Sequence, residues 1–350
     1  MSLNAVAAQI LESSAQGFAR EAAVRLQEQL ARDNVQLAEP DAAWQQHLYQ
    51  RIMELAAAIR VGQPALFQDK IQWLRHAWVS RGVSPRVTVA ILDSLRATIN
   101  EDFPKESAIS VMQILDETLE SLKAPFVPVQ STIAPDSVPG KLALRYIAAC
   151  MDAATDAAQS MILDAIDAGM SPQSVVTDVL MPAQREIGDL WHSDDASISQ
   201  EHLLTNTTAE LLAIIGQKFA GKTNNDKKAL VASVAGNAHD VGIRAAAVLL
   251  RLAGWRTIFL GTDLPPKEIS AAADFFDADI VILSATIATH VDAIADTVRS
   301  LRQTKTNPAI IVGGAMFESA PQLRESLGAD ALCAHIADTV ETAERQLIGR

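Results

Sequence analysis

The chain has 350 residues, 49% apolar and 20% charged, which excludes the disordered class and allows two or three domains, each with its own core. Its net charge of −13, with no clustered basic face, argues against direct DNA binding. The sequence has neither a membrane-length apolar run nor a basic leader followed by an apolar segment, so we expect a cytoplasmic protein without a membrane partner.

Residues 1–124 predict a helical module. Apolar residues recur at helical spacing between positions 3 and 123, and breaks at Gly and Pro divide the region into about five helices. Residues 125–139 carry four prolines among small and β-branched residues, a composition that disfavours helix. We therefore predict a linker over 125–139.

Residues 140–220 are again helical in pattern and predict a small bundle. Ser171-Pro172 is typical of a helix start, because serine caps the amino end and proline fits the first turn. A long amphipathic run follows over 197–219. The polar turn at 221–226 then predicts a second domain boundary.

Residues 228–350 predict a flavodoxin-like domain, so the whole chain is expected to be a multi-domain α and α/β protein. Short apolar runs alternate with amphipathic segments, which indicates a doubly wound sheet of five parallel strands. The predicted strands are 229–235, 257–260, 280–284, 309–312 and 331–333. Ligands of such sheets bind beyond the carboxyl ends of the strands, so function is expected in the loops 236–242, 261–266, 285–289 and 313–317.

The first of these loops contains His239 between the first strand and the first helix of the domain. A dinucleotide-binding loop would need Gly-x-Gly-x-x-Gly here, and a histidine would obstruct the phosphate. A lone histidine is more often structural than functional, but this one lies at the edge of the sheet where ligands bind.

The segment Asn-Ala-His-Asp-Val-Gly at 237–242 resembles the Asp-x-His-x-x-Gly signature of the cobalamin-binding domains of methionine synthases, mutases and corrinoid carriers. Three further segments fit in order: 261–265 resembles the loop under the corrin, 284–286 the serine element, and 313–314 the diglycine beside the nucleotide tail. The resemblance covers nearly all of 228–348. It implies as cofactor contacts Asn237, His239, Asp240, Val241, Gly242, Thr262, Leu264, Ser284, Thr286, Gly313 and Gly314.

The same resemblance implies that His239 is the lower ligand of cobalt and displaces the dimethylbenzimidazole tail. The family has aspartate where this chain has Asn237. An amide oxygen can accept the same hydrogen bond from the imidazole but carries no charge, so we expect a less basic ligand.

In the bundle, Trp191 is followed after nine residues by Glu201-His202. From pattern alone, a core tryptophan and a solvated Glu-His pair are equally acceptable. The spacing, however, resembles the bundle of light-sensing cobalamin receptors of the CarH and LitR type. That resemblance implies adenosylcobalamin, with Trp191 over the adenosyl group and Glu201 and His202 bordering its pocket. His192 also has a counterpart there, and we predict that it becomes the upper cobalt ligand after light.

The helical N-terminus resembles globin-like sensor modules rather than a winged helix, and the whole arrangement resembles photocobilins, cobalamin photoreceptors that carry a bilin-binding module. Candidate contacts for biliverdin are Trp44, His47, Trp73, His76 and Trp78. The same residues also fit an ordinary helical bundle. Because no cysteine precedes Cys150, a bilin in this module would be non-covalent.

We therefore expect a sensory protein rather than an enzyme, in which light-driven loss of the adenosyl group moves the bundle and changes a homo-oligomer or a protein partner. Two alternatives stay open. The chain could be a corrinoid methyl carrier that serves a separate methyltransferase, or a cobalamin-dependent antirepressor that binds a transcription factor.

Overall fold

The structure is a computed structural model that describes residues 2–35, 41–126, 130–222 and 227–348. The chain divides into two compact units, Met1–Pro128 and Val129–Arg350. The predicted boundary at 221–226 lies partly outside the described residues. Within the described ranges, no helix combines the length and apolarity needed to cross a membrane.

The first unit is helical, as predicted. Buried positions on its first helix recur every three or four residues, at Leu11, Ala15, Phe18, Ala22 and Leu26, and form one apolar stripe. This helix packs mainly on the second and fourth. The helices of the described residues in this unit are α1 Leu3–Arg32, α2 Asp41–Val61, α3 Ala65–Ser80, α4 Pro85–Asp102 and α5 Lys105–Ser121.

The second unit begins with the predicted bundle, whose helix starts are set by serine caps. Ser171 Oγ accepts the backbone N–H of Ser174, and Ser197 forms a reciprocal capping box with Gln200. The bundle contains α6 Val138–Met151, α7 Thr155–Asp167, α8 Pro172–Ser174, a π-helical turn over Val175–Leu180, α9 Met181–His192 and α10 Ile198–Lys218.

The bundle starts two residues before the predicted boundary at 140. Ser137 caps α6 by accepting the backbone N–H of Gly140 at 3.0 Å, and Pro139 lies in the first turn, where no amide hydrogen is needed. Pro139, which the sequence pattern assigns to the linker, therefore belongs to the helix.

The remainder of the second unit is the predicted five-stranded parallel sheet, in the order β2-β1-β3-β4-β5. This is the flavodoxin-like order, in which the chain reverses direction beside β1 and leaves a crevice between β1 and β3. The strands are β1 Lys228–Val234, β2 Arg256–Leu264, β3 Ile280–Ser284, β4 Ala309–Gly313 and β5 Ala331–Cys333. The helices are α11 Val241–Leu252, α12 Pro266–Phe276, α13 Val291–Leu301, α14 Met316–Ser319, α15 Leu323–Leu327 and α16 Thr339–Leu347.

The second strand is longer than predicted, because most of the expected loop 261–266 belongs to it. β2 stays paired with β1 through two register shifts, with Ala232 opposite Gly261 and Val234 opposite Leu264. Gly261 and Asp263 have positive φ angles of 92° and 56°, which absorb the extra residues as bulges. Glycine and aspartate favour turns in sequence, so the pattern suggested a loop.

The bundle and the sheet form one compact unit because α10 packs on α11. A Cβ on Gly216 of α10 would lie 3.1 Å from Val248 Cγ2 of α11, so the glycine lets the two helices approach closely. Val248 and Leu249 of α11 belong to the same apolar core as Leu211 and Leu212 of α10.

The close approach between the residues that follow β3 and β4 is also testable. Gly314 has φ +103°, and a Cβ there would lie 2.4 Å from the Ala285 carbonyl oxygen. We predict that Gly314→Ala lowers the free energy of unfolding by more than about 2 kcal/mol, through backbone strain and the clash. Gly328→Ala is the matched control, since its φ is +73° with nothing within 4 Å. It should cost only the left-handed strain of about 1 kcal/mol. Equal losses in urea denaturation would contradict the close approach at Gly314.

Candidate functional site

The loop after β1 is organised by the Asn237 side chain, which is fully buried. Asn237 Nδ2 donates to Ser233 Oγ at 2.6 Å and to the Ser284 carbonyl oxygen at 3.1 Å. A carbonyl oxygen only accepts, so the amide nitrogen must face β3. Asn237 Oδ1 therefore faces the loop, where it accepts from His239 Nδ1 at 3.1 Å and from Thr286 Oγ1 at 3.1 Å.

His239 lies exposed at the carboxyl edge of the sheet. Because Asn237 Oδ1 accepts from Nδ1, that ring nitrogen carries the proton in the neutral imidazole, and Nε2 keeps its lone pair. The predicted contact between the amide oxygen and the ring is therefore present. A neutral imidazole with a fixed tautomer and a free Nε2 is the form that binds transition metals.

His290 is a site residue that the sequence did not indicate. It is buried, and its Nδ1 accepts the backbone N–H groups of Thr286 at 3.2 Å and Ile287 at 3.3 Å. The other side of the ring is hydrogen-bonded to the backbone at Gly236, which ties the loop after β3 to the loop after β1. Burial, with a smaller contribution from the charge of His239, lowers the pKa of His290. The neutral form of the His290 ring is therefore favoured over the charged form.

The other predicted contacts in the sheet lie around these loops. Asp240 precedes α11 and accepts from Arg244 Nη2 at 2.7 Å, while Val241 is buried and Gly242 is exposed at the first turn. Thr262 and Leu264 are half-buried on the bulged end of β2. The two glycines Gly313 and Gly314 lie at the end of β4, close to their neighbours on β3 and β5. A Cβ on Gly313 would lie 3.1 Å from the Cys333 carbonyl oxygen, and one on Gly314 would lie 3.0 Å from Ser284 Oγ.

The bundle carries the second group of predicted residues, at the end of α9 and the start of α10. Trp191 is half-buried and His192 is 3% exposed. His192 thus lies within the bundle and could reach a ligand only if the last turn of α9 rearranged. His202 is exposed, and its Nε2 lies 3.6 Å from Glu201 Oε2.

Glu201 is held by a chain of hydrogen bonds that the sequence did not indicate. Thr205 Oγ1 donates to Glu201 Oε1 at 2.7 Å, and Gln184 Nε2 of α9 donates to Thr205 Oγ1 at 2.6 Å. The chain links α9 to α10 and fixes one carboxylate oxygen of Glu201.

One ion pair connects the bundle to the carboxyl edge of the sheet. Arg185 Nη2 of α9 lies 2.8 Å from Glu318 Oε1 of α14, which follows the diglycine 313–314. Both side chains are more than half exposed, so the pair contributes about 0–1 kcal/mol. It establishes that this side of α9 faces the edge of the sheet that carries His239.

In the N-terminal unit, the structure brings together three of the five predicted aromatic residues. The rings of Trp44, His47 and Trp78 lie 5.6–6.0 Å apart between α2 and α3. Trp73 lies elsewhere on α3, 39% exposed, with the Lys70 amine 3.5 Å above its ring. The His76 ring lies 4.7 Å from the ring of Phe126, which was not among the predicted residues. Trp73 and His76 are therefore not part of the cluster.

Two family models match the second unit, and each describes a B12 binding domain. One matches residues 142–215 of the bundle and the other residues 227–344 of the sheet domain. Both matches lie outside the first unit, so the globin-like assignment of residues 1–124 stays a prediction.

Relatives of two kinds are similar to this chain. It is 28% identical over 170 residues to the HTH-type transcriptional repressor CarH of Myxococcus xanthus, a match that covers 48% of this chain and 56% of that protein. It is 22% identical over 185 residues to dimethylamine corrinoid protein 2 of Methanosarcina acetivorans, covering 52% of this chain and 85% of the relative. The chain thus spans little more than half the length of the CarH repressor.

The monomethylamine corrinoid protein of Methanosarcina barkeri has the same fold in the matched region. Its structure aligns with a TM-score of 0.51 and 17% identity, over 59% of this chain and 98% of that protein. The residues of the site suit a cobalamin, because an exposed imidazole of fixed tautomer stands at the sheet edge beside small residues. With the two B12-binding matches, these findings make the chain a cobalamin-binding protein.

The assignment of His239 as the lower ligand is testable by substitution. We predict that His239→Ala changes the free energy of unfolding by less than about 0.5 kcal/mol, since the side chain is exposed. Bound cobalamin should then keep its own dimethylbenzimidazole on cobalt, or be lost on gel filtration. His335→Ala, which removes another exposed histidine of the sheet domain, is the control that should keep the imidazole on cobalt. If the absorption spectrum and affinity of His239→Ala matched those of wild type, the assignment would be wrong.

Proposed function

We propose that this protein is a light sensor that binds adenosylcobalamin between its helical bundle and its sheet domain. The observation that carries the proposal is the arrangement on α9 and α10, where Trp191 stands half-buried and the Glu201 carboxylate is fixed by Thr205 and Gln184. A flat indole suits stacking on a purine, and a fixed carboxylate accepts hydrogen bonds from ribose hydroxyls. A methyl group would use neither.

In this proposal, residues of the two subdomains hold opposite faces of the cofactor. His239 binds cobalt from below through Nε2, with its tautomer set by Asn237. Trp191 and Glu201 border the adenosyl group from above, and His202 lies at the rim. When bound, adenosylcobalamin supplies a cobalt–carbon bond that light can break, so the protein needs to provide only the pocket and the response.

The response we propose is a movement of α9. His192 is the last residue of this helix, so its turn can unwind without breaking the rest, and the buried imidazole can then move toward the upper face. The π-helical turn at Val175–Leu180 leads directly into α9, and π-helical turns are frequent at functional sites. The Arg185–Glu318 pair is exposed and weak, so it resists the movement little.

We propose that this movement changes the homo-oligomeric state or the contact with a signalling protein, and that the chain is not itself an enzyme. Packed helical interfaces tend to rearrange between discrete states, which suits a switch. The net charge of −13 favours a protein partner over DNA.

A corrinoid methyl carrier is the second candidate. It is favoured by the match to the dimethylamine corrinoid protein, which extends over 85% of that relative, whereas the match to the CarH repressor covers 56%. A carrier should bind methylcobalamin at least as tightly as adenosylcobalamin, and its oligomeric state should not depend on light. An antirepressor would behave as a sensor in both respects and differ only in its partner.

The first unit is a candidate for a second chromophore. The cluster of Trp44, His47 and Trp78 contains a hydrogen-bond donor without an acceptor. Trp44 is 5% exposed, and its indole Nε1 donates to none of the described residues. An aromatic cluster with a free donor suits a flat, acceptor-rich ligand, and we propose biliverdin, held without a covalent bond.

Green light applied to the adenosylcobalamin-loaded protein tests the main proposal. We predict a lasting change of the absorption spectrum and a change of elution volume on size exclusion. His192→Ala should still lose its adenosyl group but should not give the wild-type final spectrum or elution change, because the second imidazole is missing. A wild type whose elution volume is the same in darkness and after light would contradict the sensor and favour the carrier.

The second chromophore is tested by adding biliverdin to the protein in darkness. We predict a red-shifted absorption band that is lost in Trp44→Phe, which keeps an aromatic ring but removes the indole N–H. Trp73→Phe is the control, since Trp73 lies outside the cluster. If biliverdin at saturating concentration gave no shift with wild type, the first unit would not be a bilin site.

A further inference from the structure

Gly188 lies in the middle of α9 and has no structural reason to be glycine. Its helix runs from Met181 to His192, and glycine weakens a helix interior relative to alanine. A Cβ at Gly188 would meet nothing within 4 Å, so no neighbouring atom of the described residues requires its absence. The helix therefore has a gap on its surface at this position.

The surroundings of this gap are the residues already assigned to the upper pocket. On a helix, the neighbours of a residue are those three and four positions away, here Gln184, Arg185, Trp191 and His192. Arg185 reaches Glu318 at the carboxyl edge of the sheet, so the face centred on Gly188 is turned toward that edge. We call the space over Gly188 between Gln184 and Trp191 the Gly188 notch.

The Gln184 side chain contributes an acceptor whose orientation is fixed. The Glu201 carboxylate can only accept, so Thr205 must donate to it and must in turn accept from Gln184. The amide nitrogen of Gln184 therefore faces Thr205. Its Oε1 is buried and accepts from none of the described residues, an arrangement that is unfavourable unless a donor arrives.

From the notch and the unsatisfied acceptor together, we infer that Gly188 and Gln184 select the upper ligand of the cobalamin. The notch gives room for the adenosyl group beside Trp191, and Gln184 Oε1 accepts a hydrogen bond from a ribose hydroxyl or the adenine amine. A methyl group has no donor and does not need the space. The inference rests on the proposed function for the identity of the adenosyl group, and it adds which residues discriminate.

Titration of the 350-residue chain in darkness with adenosylcobalamin and with methylcobalamin tests the inference. Gly188→Ala should weaken adenosylcobalamin binding by about tenfold, and Gly188→Leu by more, while methylcobalamin binding stays within about twofold. Gln184→Met, which keeps the volume of the side chain but removes the carbonyl, should act in the same direction. The melting temperature of cofactor-free Gly188→Ala should be equal to that of wild type or higher, because alanine strengthens the helix.

Gly17→Ala is the matched control, since Gly17 is also within a long helix with nothing within 4 Å of its Cβ. It should leave both affinities unchanged. Equal weakening of both cobalamins by Gly188→Ala would place the notch under the corrin edge and overturn the inference. No change in either affinity would make Gly188 a surface glycine and also overturn it. Dark titration is independent of the light response, so a failed photoreceptor proposal would be recognised separately.

Discussion

The buried amide of Asn237 is the interaction on which the cofactor site depends. It contacts β1 through Ser233, β3 through Ser284, and the two functional loops through His239 and Thr286. Each hydrogen bond fixes the next, because the Ser284 carbonyl determines which way the amide points and the amide determines which imidazole nitrogen is protonated. An aspartate could accept the same bonds from the loop, but it could not donate to Ser284. The asparagine therefore holds the loop that carries His239 against the sheet, but it places no negative charge behind the imidazole.

A second set of interactions connects the helical bundle to the sheet domain. The packing of α10 on α11 is apolar and tight, whereas the Arg185–Glu318 contact of α9 is a single exposed ion pair. The two helices therefore differ in how they contact the sheet domain. α10 packs on α11, whereas α9 follows a π-helical turn and packs within the bundle, where its Ala183 and Ile187 belong to the same apolar core. This difference supports the proposal that α9 is the part that responds to a change at the upper face of the cofactor.

The sequence predicts the sheet well because its strands are continuous apolar runs between amphipathic helices, as in 280–284 and 331–333, which the structure reproduces. It fails at β2, where Gly261 and Asp263 favour a turn locally but form bulges because pairing with β1 continues past them. Linear motifs indicate His239 and Trp191. They cannot indicate His290 or Gln184, because the importance of these residues comes from partners such as Gly236 and Thr205 that are distant in sequence. Gly188, a glycine in the interior of α9, is a signal that the sequence does contain for this part of the site. The N-terminal aromatics show the opposite error, since residues that look alike in sequence lie on different sides of α3.

The central claim is that the imidazole of His239 is the lower ligand of cobalt. Electron paramagnetic resonance of the protein-bound cobalt(II) cobalamin tests it most directly, using protein in which only the histidines are labelled with nitrogen-15 and the cofactor is unlabelled. A nitrogen-14 ligand splits each cobalt line into three and a nitrogen-15 ligand into two. We predict two-line splitting in the labelled wild type and three-line splitting in the unlabelled protein. Three-line splitting in both would show that the cofactor's own dimethylbenzimidazole stays on cobalt and would contradict the account.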